Sequence, residues 1–364
     1  MGKLHDLHHH GQSVWLDFIR RDMLSSGELD SLVADGIRGL TSNPTIFQKA
    51  IGGSSAYDAA ISDALRADAT AEPKAVYESL AIADIQDAAD ALRDVYDESD
   101  AADGYVSLEV SPLLAADTAG TIAEAHRLWD LVDRPNLMIK VPATPEGIPA
   151  IEELIASGRN VNATLMFSLA DYEAVAQAYV RGIRRSDRPE RIASVASFFV
   201  SRVDNDTDAA LDKVGSDAAL ALRGKAAVAN AKLAYDRYRE IFEGPDFADQ
   251  IERGARPQRV LWASTSTKNP AYSDVLYVEP LVGPNTVNTM PPATIDAFLD
   301  HGTIDGTALA TDVAEARRDI AALADVGVDF DEITATLQDV GVKAFANSFD
   351  DLLATVATKV AELA

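Results

Sequence analysis

Short runs of Val, Ile, Leu and aromatic residues recur along the chain, separated by longer stretches in which apolar residues return every three or four positions. The runs are Val14–Ile19, Ile37–Thr41, Tyr105–Val110, Leu137–Val141, Val161–Phe167, Ile192–Val200, Val260–Ala263 and Val275–Leu281. Their length and composition predict buried strands. Thr118–Val132, Pro149–Ala156 and Leu169–Arg184 carry the spacing of helices that lay one face on a sheet. Strands alternating with helices imply parallel βαβ units, and eight of them imply an α/β fold closed as a (β/α)8 TIM-type barrel with additional helices. The connection Thr45–Ala101 has room for two or three helices, Asn205–Gln258 for a helical pair, and Pro291–Ala364 reads as several more, ending in Gly341–Leu363. No Pro- or Ser-rich linker divides the chain, so residues 1–364 are expected to form a single domain.

Polar residues break these runs near their ends, where a barrel of this type places its chemistry. Asp17 follows Val14-Trp15-Leu16, Asn43 follows Gly39-Leu40-Thr41-Ser42, and Glu109 and Lys140 lie inside the third and fourth runs. Asn160, Asn162 and Thr164 alternate with apolar residues, as do Ser197, Phe199 and Ser201, with Arg202 next; Ser264, Ser266 and Lys268 close the seventh run. Period-two alternation sends each such set to one side of its strand. Lys140 is the lysine placed within a strand run; the other nine lie in loops or helix-like segments. Burial lowers the pKa of an ammonium, and a free amine in a pocket can attack a ketone carbonyl to form a Schiff base. The competing structural reading is a buried ion pair of Lys140 with Glu109 or Asp17.

The chain of 364 residues holds 58 acidic and 32 basic side chains, a formal charge of −26, with 47% hydrophobic residues. That balance suits a folded protein and argues against a general nucleic-acid or anionic-membrane binder. The absence of cysteine excludes disulfides, thiol nucleophiles and Cys-metal sites. No apolar run has the length of a membrane span and no signal-peptide pattern is present, so a cytoplasmic protein is expected. His8, His9 and His10 lack acidic partners at ligand spacing and read as an exposed N-terminal stretch rather than a metal site.

Four segments in register around Lys140 resemble the transaldolase family: Gly39-Leu40-Thr41-Ser42-Asn43-Pro44-Thr45-Ile46-Phe47, Val106–Val110, Met138–Thr144 and Asn160–Ser168. The resemblance runs from about Ser13 to about Ala293. It implies a (β/α)8 barrel with no metal and no cofactor. It also implies transfer of a dihydroxyacetone unit between sugar phosphates in the non-oxidative pentose phosphate pathway. By the same resemblance Lys140 is the Schiff-base lysine, Glu109 with Thr164 holds the catalytic water, and Asp17 is the acid/base on the donor C4 hydroxyl. Asn43 and Asn162 bind the dihydroxyacetone hydroxyls, Ser197 is a substrate contact, and Arg202 is the main phosphate ligand. The family's second phosphate arginine has no counterpart here. Lys268 stands nearest, with Ser264 or Ser266 as the phosphate hydroxyl. Phe199 shares the parity of Ser197 and is expected to line the pocket wall.

The expected partners are small sugar phosphates, with neither nucleic acid nor membrane, in a monomer or homodimer. Two rivals remain open. A dihydroxyacetone- or fructose-6-phosphate aldolase would use the same lysine, but such relatives are shorter and tend to carry Tyr at the position of Phe199. A non-catalytic sugar-phosphate binder would not require Lys140, Glu109, Asp17 and Thr164 together.

Overall fold

The computed structural model describes residues 2–363. Eight parallel strands close into a barrel in sequence order: β1 Gln12–Leu16, β2 Ile37–Thr41, β3 Tyr105–Glu109, β4 Leu137–Pro142, β5 Val161–Met166, β6 Ser194–Phe199, β7 Arg259–Ala263 and β8 Thr286–Met290. The first seven fall within or beside the apolar runs. The eighth does not. Val275–Leu281 forms turns and a short 3-10 helix at Glu279–Leu281, where Pro280 has no N–H for a strand ladder. This segment is apolar because it packs beneath β7 and β8, with Tyr277, Val278 and Leu281 buried. Asn288 of β8 donates to the Tyr277 carbonyl, and Thr286 to that of Gly283. The closing strand therefore carries polar residues toward its own preceding loop, which hid it in the sequence.

Helices surround the barrel, and several are begun by side-chain caps. Ser168 and Asp171 form a reciprocal capping box at Leu169–Arg185, Asp117 caps Thr118–Val132, and Asn43 accepts from the Ile46 N–H at the start of Pro44–Gly52. The β2–β3 connection holds four helices rather than two or three: Pro44–Gly52, Asp58–Ala67, Pro73–Ala91 and Arg93–Glu98. The β6–β7 connection carries Ser201–Val214 and Ala226–Phe242, with two shorter helices. The last helix is longer than expected, Phe330–Leu363, and its buried Leu337, Phe345, Phe349 and Leu352 join the main core. His8, His9 and His10 are exposed at the end of the helix Lys3–His9.

Alternate strand residues meet inside the barrel. Gly39 lets β2 approach β1, since a Cβ there would lie 2.5 Å from the Trp15 indole. At the amino-terminal foot, the carboxylate of buried Asp103 accepts from Ser13, from Trp15 Nε1 at 2.8 Å, from Arg38 Nε at 3.1 Å and from Arg259 Nη2 at 3.2 Å. Asn160 likewise works in the framework, bonding the Pro135 and Leu137 carbonyls and the Ala193 N–H. No helix among the described residues is long and apolar enough to cross a membrane.

Candidate active site

Cavities of similar size open at the two ends of the barrel, about 520 Å³ at the foot and about 470 Å³ at the carboxyl-terminal mouth. Size does not distinguish them; their residues do. The mouth is lined by Lys49, Lys140, Arg202 and Lys268 against one carboxylate, Asp17. In a chain of charge −26, that local excess of cations marks an anion site. Asn43, Thr164, Ser197, Phe199, Ser264 and Ser266 share this wall.

Lys140 is central. β4 is buried along its whole length, and the Lys140 side chain is only 6% exposed. Its Nζ donates to the Ser42 carbonyl at 3.3 Å, stands 3.8 Å from Glu109 Oε2 and lies 5.7 Å from the centre of the Phe345 ring. The β3–β4 register makes Glu109 the direct partner of Lys140, and the β4–β5 register pairs Lys140 with Asn162. Burial pushes the Glu109 carboxyl up to about 7, with the Lys140 charge opposing that rise. Glu109 Oε2 and Thr164 Oγ1 are buried polar atoms with no hydrogen-bond partner among the described residues. Glu109 is thus able to give or take a proton near neutral pH.

Asp17 follows β1 directly. Its N–H donates to the Met290 carbonyl at 2.9 Å, and its carboxylate accepts from Thr41 Oγ1 at 2.8 Å. Thr41 meets Thr289 Oγ1 at 2.7 Å. With its own proton committed to Asp17, Thr41 receives that bond. Burial raises the Asp17 pKa, while Lys140, the Thr41 bond, Arg202 and Lys268 pull it down. Thr41 and Thr289 were not singled out in the sequence; Thr289 lay outside the misplaced eighth run.

The amides divide. Asn43 reaches the cleft while capping its helix. Asn162 is fully buried below the cleft wall, donating to Ser107 Oγ at 3.0 Å and accepting from Ser197 Oγ at 2.7 Å. Ser107, which the sequence marked only as part of the Val106–Val110 segment, completes that chain. Arg202, in the first turn of Ser201–Val214, stacks 5.2 Å above the Phe199 ring. It makes no salt bridge among the described residues, and burial lowers its pKa while Asp17 and Asp206 oppose the shift. Asp204, a possible rival partner, instead accepts from Tyr277 Oη and the Ala227 N–H. Lys268 is exposed and bonds Ser266 Oγ at 2.6 Å, whereas Ser264 pairs with Ser201 at 3.0 Å.

The C-terminal helix supplies what the sequence did not announce. Phe345 lines the cleft beside Lys140. Gln338 Nε2 donates to the carbonyls of Ala143 and Leu165, at the ends of β4 and β5. Leu165 sits at a break in the β5–β6 register with φ +62°, a left-handed conformation costing a non-glycine residue roughly 1–2 kcal/mol. The strain lies one residue from Thr164.

A profile of the Transaldolase/Fructose-6-phosphate aldolase family matches residues 14–356, well past the stretch in which motifs were legible. The transaldolase of Frankia alni is 50% identical over 355 residues, spanning 96% of this chain and 95% of its own. That of Thiobacillus denitrificans is 51% identical over 351 residues, 95% and 97% of the two chains. That of Thermobifida fusca is 49% identical over 357 residues, 96% of each. Barrel, strand-borne lysine and similarity over nearly the whole length agree: the chain belongs to the transaldolase/fructose-6-phosphate aldolase family.

Proposed function

We propose that the protein is a transaldolase that carries a dihydroxyacetone unit on Lys140 from a ketose phosphate to an aldose phosphate. Sedoheptulose 7-phosphate or fructose 6-phosphate is the donor, and glyceraldehyde 3-phosphate or erythrose 4-phosphate the acceptor, as in the non-oxidative pentose phosphate pathway. The observation that carries this reading is Lys140 in a cationic cleft that also holds Asp17, with Glu109 beside it on the neighbouring strand and both carboxyls displaced upward in pKa. A solely structural lysine would be expected to form a tight pair; the 3.8 Å separation leaves Nζ and Oε2 to separate tasks.

In this mechanism the Lys140 amine attacks the ketone carbon, and Glu109 shuttles the protons that turn the carbinolamine into an imine and water. Thr164 Oγ1, a buried hydroxyl with no partner among the described residues, fits the role of a second anchor for that water. Asp17 takes the C4 hydroxyl proton as the C3–C4 bond breaks, releasing an aldose and leaving an enamine on Lys140. Attack of the enamine on the acceptor reverses these steps. Asn43 is placed to hold sugar hydroxyls directly. Asn162 and Ser197, already bonded to each other, would have to exchange that bond to do so. Arg202, at a helix N-terminus, is our phosphate ligand, with Lys268 and Ser264 or Ser266 beside it. Phe199 keeps the Arg202 guanidinium in place by stacking.

Borohydride reduction with fructose 6-phosphate, followed by peptide mapping, tests the reading. We expect a three-carbon adduct on Lys140. An adduct on Lys49 or Lys268, or none, would overturn it. Release of free dihydroxyacetone at full rate without an added aldose would favour an aldolase instead.

A further inference from the structure

We propose that Phe345 is a specificity-determining residue that denies water to the Lys140 adduct, so that the bound three-carbon unit passes to an aldehyde. The inference rests on the imine reading above. Phe345 lies midway along a helix fixed on both sides of it. Upstream, Gln338 bonds the Ala143 and Leu165 carbonyls, and Gly341 packs so close to Leu165 that an added Cβ would lie 3.1 Å from its side chain. Downstream, Thr45 Oγ1 donates to Ser348 Oγ at 2.8 Å, and Phe349 packs edge-on against Tyr77. Held in this way, the Phe345 ring is 6% exposed although it borders an open cleft, and its centre is 5.7 Å from Lys140 Nζ.

Two fates compete for an enamine on Lys140. In transfer, its nucleophilic carbon bonds to the acceptor carbonyl carbon, and the carbonyl oxygen takes a proton. In leakage, that carbon takes a proton instead; water then adds to the resulting iminium carbon, the C–N bond breaks, and the amine leaves free dihydroxyacetone. Transfer still ends in hydrolysis of the new ketose imine, so water must be confined rather than abolished. An ordered water needs two to four polar partners. The Glu109 side of Nζ offers a buried carboxylate oxygen with no hydrogen-bond partner among the described residues, whereas the Phe345 side offers an apolar ring. The chemistry of the site thus favours one held water and disfavours a second. Exclusion of this kind is how closed sites protect intermediates from hydrolysis.

The test compares Phe345→Ala with Phe345→Leu, measuring free dihydroxyacetone released per transfer with fructose 6-phosphate and erythrose 4-phosphate. Phe345→Ala should raise that ratio on the order of tenfold, while Phe345→Leu, which keeps apolar cover, should stay near the native ratio. If Phe345→Ala does not fold, Phe345→Gln makes the same distinction, being close to Leu in size but offering water a partner. An unchanged ratio, with both products falling in parallel, would overturn the proposal and leave Phe345 as packing. Borohydride trapping is run alongside. A Lys140 adduct with an unchanged ratio refutes the role of Phe345 alone, whereas a native protein giving no Lys140 adduct removes the imine reading and this one with it.

Discussion

Lys140 and Glu109 are direct partners across β3 and β4, yet their charged ends stop 3.8 Å apart, beyond hydrogen-bond length. Each carries its own burden of burial. The ammonium bonds the Ser42 carbonyl at 3.3 Å, and the Glu109 carboxyl is left high in pKa because desolvation outweighs a neighbour at that range. A shorter pair would have pinned the Glu109 charge and removed that carboxyl from proton traffic at neutral pH.

The first expectation is a pH signature of Glu109. With its carboxyl at about 7, kcat/KM should break near that pH, and Glu109→Gln should abolish the break while lowering turnover. The loss should be about 10²- to 10⁴-fold, the usual worth of a positioned acid/base. Stability gives an independent reading. A carboxyl raised from 4.5 to about 7 on folding stabilises fully below pH 4.5, and that contribution is lost as pH rises through about 7. Thermal melts should therefore show Glu109→Gln gaining on the native protein between pH 5 and 8. A difference constant across that range would contradict the shift.

The anion site gives a second expectation. Arg202 is part-buried, stacked on Phe199 and without an ion pair among the described residues, so its fork is available to a phosphate. Lys268 is exposed and engaged with Ser266, a weaker and more solvated ligand. Steady-state kinetics should show Arg202→Ala raising KM strongly for fructose 6-phosphate but little for unphosphorylated fructose. Lys268→Ala should act in the same direction, less strongly. Equal losses on both donors would make Arg202 a structural residue.

The third concerns the foot of the barrel. Asp103 neutralises Arg38 and Arg259 while accepting from Ser13 and Trp15. Asp103→Ala leaves two guanidiniums short of a counter-charge. Denaturant unfolding should show a loss of roughly 3 kcal/mol, the low end for a broken buried pair, since both arginines retain some water. The Lys140 site at the opposite mouth should keep its turnover per folded molecule. A stable variant with slowed turnover would place Asp103 in the catalytic machinery instead.

The legible part of this protein is the part in which a strand carries its own signal. β3, β4 and β5 are apolar runs, and a lysine or glutamate inside such a run is conspicuous because burial penalises it. β8 fails that rule: Thr286 and Asn288 turn toward the loop at 277–283, and that loop is the more apolar of the two. Phe345 was illegible for the opposite reason, an apolar residue in an amphipathic helix with nothing local to say that it would face Lys140. The left-handed Leu165 gave no sign either, because it sits at a break in the β5–β6 register, where its carbonyl accepts from Gln338 of the distant last helix. Asn162 was noticed through its alternation, but only the structure gives it Ser107 and Ser197 as partners.

Closure of the ring has a kinetic meaning. β1 and β8 pair along their full length, Gln12 to Thr286 through Leu16 to Met290, joining segments from opposite ends of the sequence. Contacts of such separation pay a large loop-closure entropy before they gain anything, so they belong to the late steps of folding. Glu109 and Lys140 need only the local β3–β4 pairing to meet. Asp17 hangs on the seam itself, its N–H on Met290 and its Thr41 partner on Thr289. A chain arrested before closure would therefore present its nucleophile without the carboxyl that governs carbon–carbon cleavage, and the recovery of activity during refolding should track the joining of the first and last strands.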